Sequence, residues 1–98
     1  MANIVITKTG NIVDVDFGIY AVSNGLDGRK ATYKVDDISI VWLEKDDSIV
    51  NVKMKDAITT THWLLSFDGA NRTFQVDTID GVAPTNNVDL YNKINALR

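Results

Sequence analysis

The chain reads as a mainly β protein: a small antiparallel barrel or sandwich of about six to eight strands, with one C-terminal α-helix packed on it. Three observations predict this. Apolar and polar residues alternate with a period of two in run after run, as in Val13-Asp14-Val15-Asp16-Phe17 and Val50-Asn51-Val52-Lys53-Met54. Turn signals recur at the roughly 8–12-residue spacing of small all-β folds. Twelve of the thirteen acidic residues are Asp and only Glu44 is Glu, an imbalance that favours turns and caps over helix interiors.

Ile4-Val5-Ile6 is the first short strand, and Lys8-Thr9-Gly10-Asn11 supplies a tight turn. In the second strand Val13, Val15 and Phe17 point inward, while Asp14 and Asp16 mark the wet face. Gly18 to Lys30 is the least regular stretch. Ile19-Tyr20-Ala21-Val22 has the composition of a short strand, but Asn24-Gly25 and Asp27-Gly28 are strong turn dipeptides, so the whole reads as an extended, exposed loop. Ala31–Val35 alternates again, with Tyr33 and Val35 inward.

Ile38-Ser39-Ile40-Val41-Trp42-Leu43 is apolar on both faces, which suits a strand covered on both sides. Glu44–Asp47 is a polar turn, and Val50, Val52 and Met54 are the inward residues of an antiparallel partner. Ile58 to Phe67 places Trp63, Leu65 and Phe67 in the core, opposite His62, Leu64 and Ser66. Asp68-Gly69-Ala70-Asn71 turns the chain, and Thr73–Gly81 is the return strand, with Phe74 and Val76 inward. No stretch between strands is long enough for a helical crossover, so the sheet is expected to be antiparallel.

Near the end the period changes. Leu90, Tyr91, Ile94 and Leu97 form a helical stripe over about residues 87–97. Asn86 or Asn87 is the N-cap, Asp89 lies in the first turn, and Lys93 and Arg98 lie toward the C-terminus, all complementary to the helix dipole. So short a helix must dock on the open end of the barrel or on one face of the sheet. Residues 1–98 are expected to form a single domain, with the strands within 3–80.

Composition narrows the function. The chain has no Cys, which excludes thiol nucleophiles, disulfides and zinc-thiolate sites. It lacks a signal-like leader and any apolar run of membrane length, so it is expected to act without a membrane, beginning and ending in a cytoplasm or in something assembled there. Its net charge is −3 and its ten Lys and Arg are scattered, a pattern unlike that of nucleic-acid binders.

Chemistry is equally sparse. Ser66, His62 and Asp68 make a nominal triad, but four residues along a strand span about 13 Å, well beyond hydrogen-bond reach. Asp14 and Asp16 share a solvated face where nothing raises a carboxyl pKa. Asp36-Asp37 and Asp46-Asp47 could meet at a sheet end around an ion, yet no calcium-loop pattern is present. Asn24-Gly25 and Asp27-Gly28 lack the spacing of a phosphate loop. Tyr20, Tyr33 and Trp42 could stack on bases, but without a basic stripe core packing is the better reading. No catalytic residue, cofactor or metal ligand set is implied, and a non-enzymatic protein is expected. What remains is a protein that works through surfaces, with Asn24, Gly25, Leu26, Asp27 and Arg29 as the candidate partner-contact residues.

The closing pattern Trp63-x-Leu65-x-Phe67-Asp68-Gly69, Val76-Asp77-x-Ile79-Asp80-Gly81-Val82-Ala83-Pro84, then Asn87-x-Asp89-Leu90-Tyr91-x-Lys93-Ile94 resembles small open reading frames of tailed bacteriophages. The resemblance covers the last third of the chain. It implies a virion-associated protein assembled in the host cytoplasm, a capsid auxiliary (decoration) or head–tail component that binds larger virion subunits in many copies, with self-association as a further candidate contact. The run from Met1 to Arg98, which looks like a complete small frame, suits that role. The alternative is a soluble adaptor or inhibitor domain, similar in outline to pleckstrin-homology-like folds, that binds a peptide or host protein. A sugar- or ion-binding module is a third reading.

Overall fold

The computed structural model describes residues 2–26, 28–55 and 61–98. Seven strands and one helix follow in chain order: β1 (Ile4–Thr9), β2 (Ile12–Asp16), β3 (Lys30–Lys34), β4 (Ile38–Leu43), β5 (Val50–Met54), β6 (His62–Ser66), β7 (Phe74–Ile79) and α1 (Asn87–Ala96). Short 3-10 turns precede β3 at Gly18–Tyr20 and join β3 to β4 at Val35–Asp37.

The strands form one mixed sheet in the order β3-β2-β1-β7-β6-β5-β4. The hairpins β1–β2, β2–β3, β4–β5 and β5–β6 alternate around antiparallel ladders. The expectation of a wholly antiparallel sheet is corrected at β7, which runs parallel to both β1 and β6. Thr73–Gly81 is therefore not a return strand. The chain leaves β6, loops through residues 67–73, and resumes in the same direction beside the last two residues of β6, with Leu65 opposite Phe74 and Ser66 opposite Gln75. A helical crossover is unnecessary because the two strands overlap only at their ends.

The sheet does not close, since β3 and β4 are its edges, but it is strongly curled. Tyr33 on β3 and Trp63 on β6 lie four strand steps apart, about 19 Å across a flat sheet, yet their ring centroids are 5.3 Å apart. Phe17, just past β2, also meets Trp63 edge-on at 5.4 Å. Curling brings both halves over one core of Ile4, Val15, Phe17, Val50, Trp63 and Leu65. The helix lies over β4 and β5 and contributes its buried stripe of Leu90, Ile94 and Leu97. Asn86 is the N-cap, its Oδ1 accepting from the Asp89 N–H at 2.8 Å.

Alternation holds in β2, where Val13 and Val15 are buried between exposed Ile12 and Asp14. It breaks in β4. The pairing slips between Ile38 and Ile40, a bulge at Ser39, so Ile38 and Val41 face the core while Ile40 is 48% exposed. Phe67, expected in the core, is half-buried just past the end of β6, and Ser66 is fully buried in its place. The Ile58–Thr60 part of the expected strand lies outside the described residues. A small apolar cavity of about 20 Å³ is lined by Tyr33, Ile38, Trp63 and Leu97, among others.

Candidate interaction site

The segment from Gly18 to Arg29 is irregular, as its Gly, Asn and Asp content demands, but it is tied down at four points. Gly18 packs on the N-terminal segment, and the Ile19 N–H donates to the Ala2 carbonyl at 2.9 Å. Tyr20 stacks on Phe74 at 4.6 Å, and its hydroxyl accepts from the Gln75 N–H at 3.1 Å. Asn24 is buried, its Oδ1 accepting from the Leu26 N–H at 2.7 Å and its Nδ2 donating to the Gly28 carbonyl. Arg29 makes a two-pronged contact with Asp16, Nε to Oδ1 at 3.1 Å and Nη2 to Oδ2 at 3.0 Å. The guanidinium holds the Asp16 carboxyl below the usual range; partial burial opposes this and the Gly18 N–H adds to it.

Of the five contact residues read from sequence, Asn24 and Arg29 thus spend their side chains within this region. Gly25 and Leu26 are exposed, and Asp27 lies outside the described residues. The segment, read from sequence as an exposed loop, presents Val22 at 90% exposure and Ile19 at 52%, beside the expected contact residue Leu26 at 40%. Ile19 and Val22 were not among the contact residues read from sequence, because Ile19-Tyr20-Ala21-Val22 also has the composition of a short strand.

On the outer face of β4–β6 a second constellation forms. Asn51 is buried although it points away from the core. Its Nδ2 donates to Glu44 Oε1 at 2.9 Å, and its Oδ1 accepts from His62 Nε2 at 2.9 Å, an arrangement that fixes the Nε2–H tautomer. The His62 ring lies 5.2 Å from that of Trp42, and Lys53 sits over the Trp42 ring at 5.9 Å. Burial, then the Lys53 charge, lowers the His62 pKa from its usual value, against a weaker opposing pull from Glu44.

The third feature lies where β6 outruns β7. A notch of about 240 Å³ is lined by Asn24, Gly25, His62, Trp63, Leu64 and Arg72, among others. The loop of residues 67–73 holds Arg72 there. Ser66 Oγ, fully buried, accepts from the Gly69 N–H at 2.7 Å and from Thr73 Oγ1 at 2.5 Å. Within this clamp Asn71 and Arg72 both take left-handed backbone, each with φ of +59°. Such a conformation costs a non-glycine residue about 1–3 kcal/mol.

The remaining sequence candidates are dispersed. Ser66 Oγ is committed to the loop, while His62 is committed to Asn51. Asp14 accepts from Thr32 Oγ1 at 2.7 Å and Asp16 is held by Arg29. Asp46 accepts from the N–H and hydroxyl of Ser48. Among the described residues no three His, Asp or Glu side chains gather as a metal site would require, and no helix is long and apolar enough to cross a membrane. Compared with protein-family models, curated proteins and solved structures, the chain matches none of them.

Proposed function

We propose that this chain is a non-enzymatic assembly protein that binds larger subunits through the 18–26 segment. The observation that carries the reading is the 90% exposure of Val22, flanked by exposed Ile19 and Leu26, on a segment anchored by Tyr20, Asn24 and Arg29. A floppy loop would collapse such side chains onto the surface. An anchored one holds them out, and ordered apolar projections mark protein contacts. Anchoring also lowers the conformational entropy lost on binding.

The closing sequence pattern supports a tailed-phage setting: a capsid auxiliary or head–tail component in the virion, carried in many copies on larger subunits. In that reading the curled sheet is an incomplete barrel whose free edges at β3 and β4 are available for lateral contacts. The notch beside β6 favours a second reading, an adaptor domain that takes a peptide from a host protein.

Mass spectrometry of purified virions and size-exclusion chromatography of the protein with purified capsids test the lead reading. Expected are a stoichiometric virion component and a capsid-bound fraction that Val22→Asp abolishes while the circular dichroism spectrum stays unchanged. Absence from virions ends the phage assignment, and one stoichiometric non-virion partner recovered from lysate selects the adaptor.

A further inference from the structure

The notch beside β6 is bordered by His62, Trp63 and Leu64 in unbroken succession. Successive strand residues point to opposite faces, so a recess touching all three runs along the strand's edge and not over one face. The ladder explains why that edge is bare. The Met54 N–H donates to the Thr61 carbonyl at 3.1 Å, and Val52 and Val50 stand opposite Trp63 and Leu65. In an antiparallel pair the residues that exchange hydrogen bonds alternate with those that do not, so Trp63 and Leu65 turn their backbone groups to β5. His62 and Leu64 turn theirs the other way, toward the notch. The neighbour on that side is β7, but it begins at Phe74 opposite Leu65. It has no residue opposite His62, and among the described residues no loop backbone group bonds the amides of His62 or Leu64.

An edge of about three residues, roughly 10 Å long, is thus open in the middle of the sheet, and the group that satisfies it best is another extended backbone. Charge narrows the occupant. Arg72 is exposed, has no ion-pair partner among the described residues, and is held at the end of the notch by a strained backbone. His62 is the other titratable group on the rim, and no carboxylate is among the described residues that line it. On a chain of formal charge −3, a recess with no carboxylate among its described lining residues is selective for a carboxylate ligand.

The geometry points to the notch as the seat of one extended acidic segment of a partner protein, which adds a short strand to the open edge of β6 and sets an Asp or Glu against Arg72. This deepens the assembly reading and rests on it: the 18–26 segment supplies the apolar contact, and Asn24 and Gly25 form the facing wall of the slot. A polyanion such as RNA is the poorer occupant, since one arginine offers a single phosphate contact against a net negative surface.

The test uses the intact protein and a library of random decapeptides. Selected binders are expected to be rich in Asp or Glu within an alternating, extended pattern. Bound peptide should slow hydrogen exchange at the His62 and Leu64 amides. Arg72→Glu should weaken binding at least tenfold, Arg72→Lys should retain most of it, and added salt should reduce it. Because exchange at the two amides is read on the unaltered chain, the outcome does not depend on how the variants fold.

The inference is overturned if no binder emerges, if the binders leave those two amides unprotected, or if Arg72→Glu makes no difference. Protection of the same amides at high protein concentration without peptide would assign the notch to a second copy and also overturn it. Loss of peptide binding together with a retained, Val22-dependent association with capsids would leave the assembly reading standing alone. Failure of both would remove both.

Discussion

A Cβ attached to Gly18 would lie 1.8 Å from the carbonyl oxygen of Ala2. The Ile19 N–H donates to that same carbonyl, and Gly18 itself has φ of +54°, so the approach of the two segments depends on a missing side chain. Gly18→Ala is expected to cost about 3 kcal/mol or more, through a clash with backbone that cannot move aside and a left-handed conformation. Gly10 has a similar φ of +59° but open space around it, so Gly10→Ala should cost only about 1 kcal/mol. Urea unfolding of the two variants measures the difference, and equal losses would refute the role given to the Ala2 contact.

Asn87 at the start of α1 joins three parts of the fold. Its Oδ1 accepts from the Phe67 N–H at 2.9 Å, and its Nδ2 donates to the carbonyls of Asp47 and Ser48 at 2.8 and 3.0 Å. Asn87→Ala leaves those backbone groups unpaired, an expected loss of about 2–4 kcal/mol. The neighbouring cap change Asn86→Ala should cost about 1 kcal/mol. Thermal unfolding ranks the two; the reverse order would mean that the helix cap outweighs the link to the sheet.

Tyr33 carries a buried hydroxyl with no hydrogen-bond partner among the described residues, and the indole N–H of Trp63 is likewise unpaired among them. Burial pushes the Tyr33 pKa up to about 12, above the value near 10 of an unfolded tyrosine. Ionisation is therefore easier in the unfolded chain. The stability contribution of the neutral phenol is complete below about pH 10 and is lost as pH rises toward 12. Tyr33→Phe should be neutral or stabilising at pH 7 and should flatten stability between pH 10 and 12, as read by denaturant unfolding alongside phenolate absorbance.

His62 should titrate below the ordinary histidine range, because burial and then the Lys53 charge disfavour its cation. A lowered folded pKa means that stability is complete above about pH 6.5 and declines as pH falls and the imidazole is forced to ionise. Lys53→Met should raise the pKa without restoring the ordinary value, since burial is the larger cause. NMR titration of the ring protons checks both; a pKa unmoved by Lys53→Met would remove that lysine from the account.

Local periodicity made much of the fold legible. The two-residue rhythm located β2 and β5 and their inward faces, and the stripe of Leu90, Ile94 and Leu97 located the helix and its buried side. What was not legible depends on partners distant in sequence. The bulge at Ser39 sends Ile40 outward, and no residue type announces a bulge. Asp68-Gly69 carries a hairpin signal, but β7 takes its direction from β1, where Ile6 stands opposite Ile79. The irregular, exposed segment before β3 was evident from Asn24, Gly25 and Gly28; the part of Val22 as its most exposed apolar side chain was not, because Ile19–Val22 also has strand composition. The notch is a property of where β6 and β7 overlap, so no pattern within either strand encodes it.

The placement of β1 between β2 and β7 bears on when this protein can acquire its shape. Ile4 pairs with Val76, and Asn3 hydrogen-bonds Asp77, 74 residues further on, so β1 has to wait for a strand translated much later. A nascent chain on the ribosome can form the β1–β2–β3 meander early, but the flank of β1 that β7 covers stays bare until β7 itself has emerged. Cooperative folding is thereby deferred until β7 is made, and a translation product stalled before β7 would carry a sticky central strand instead of a partly finished domain.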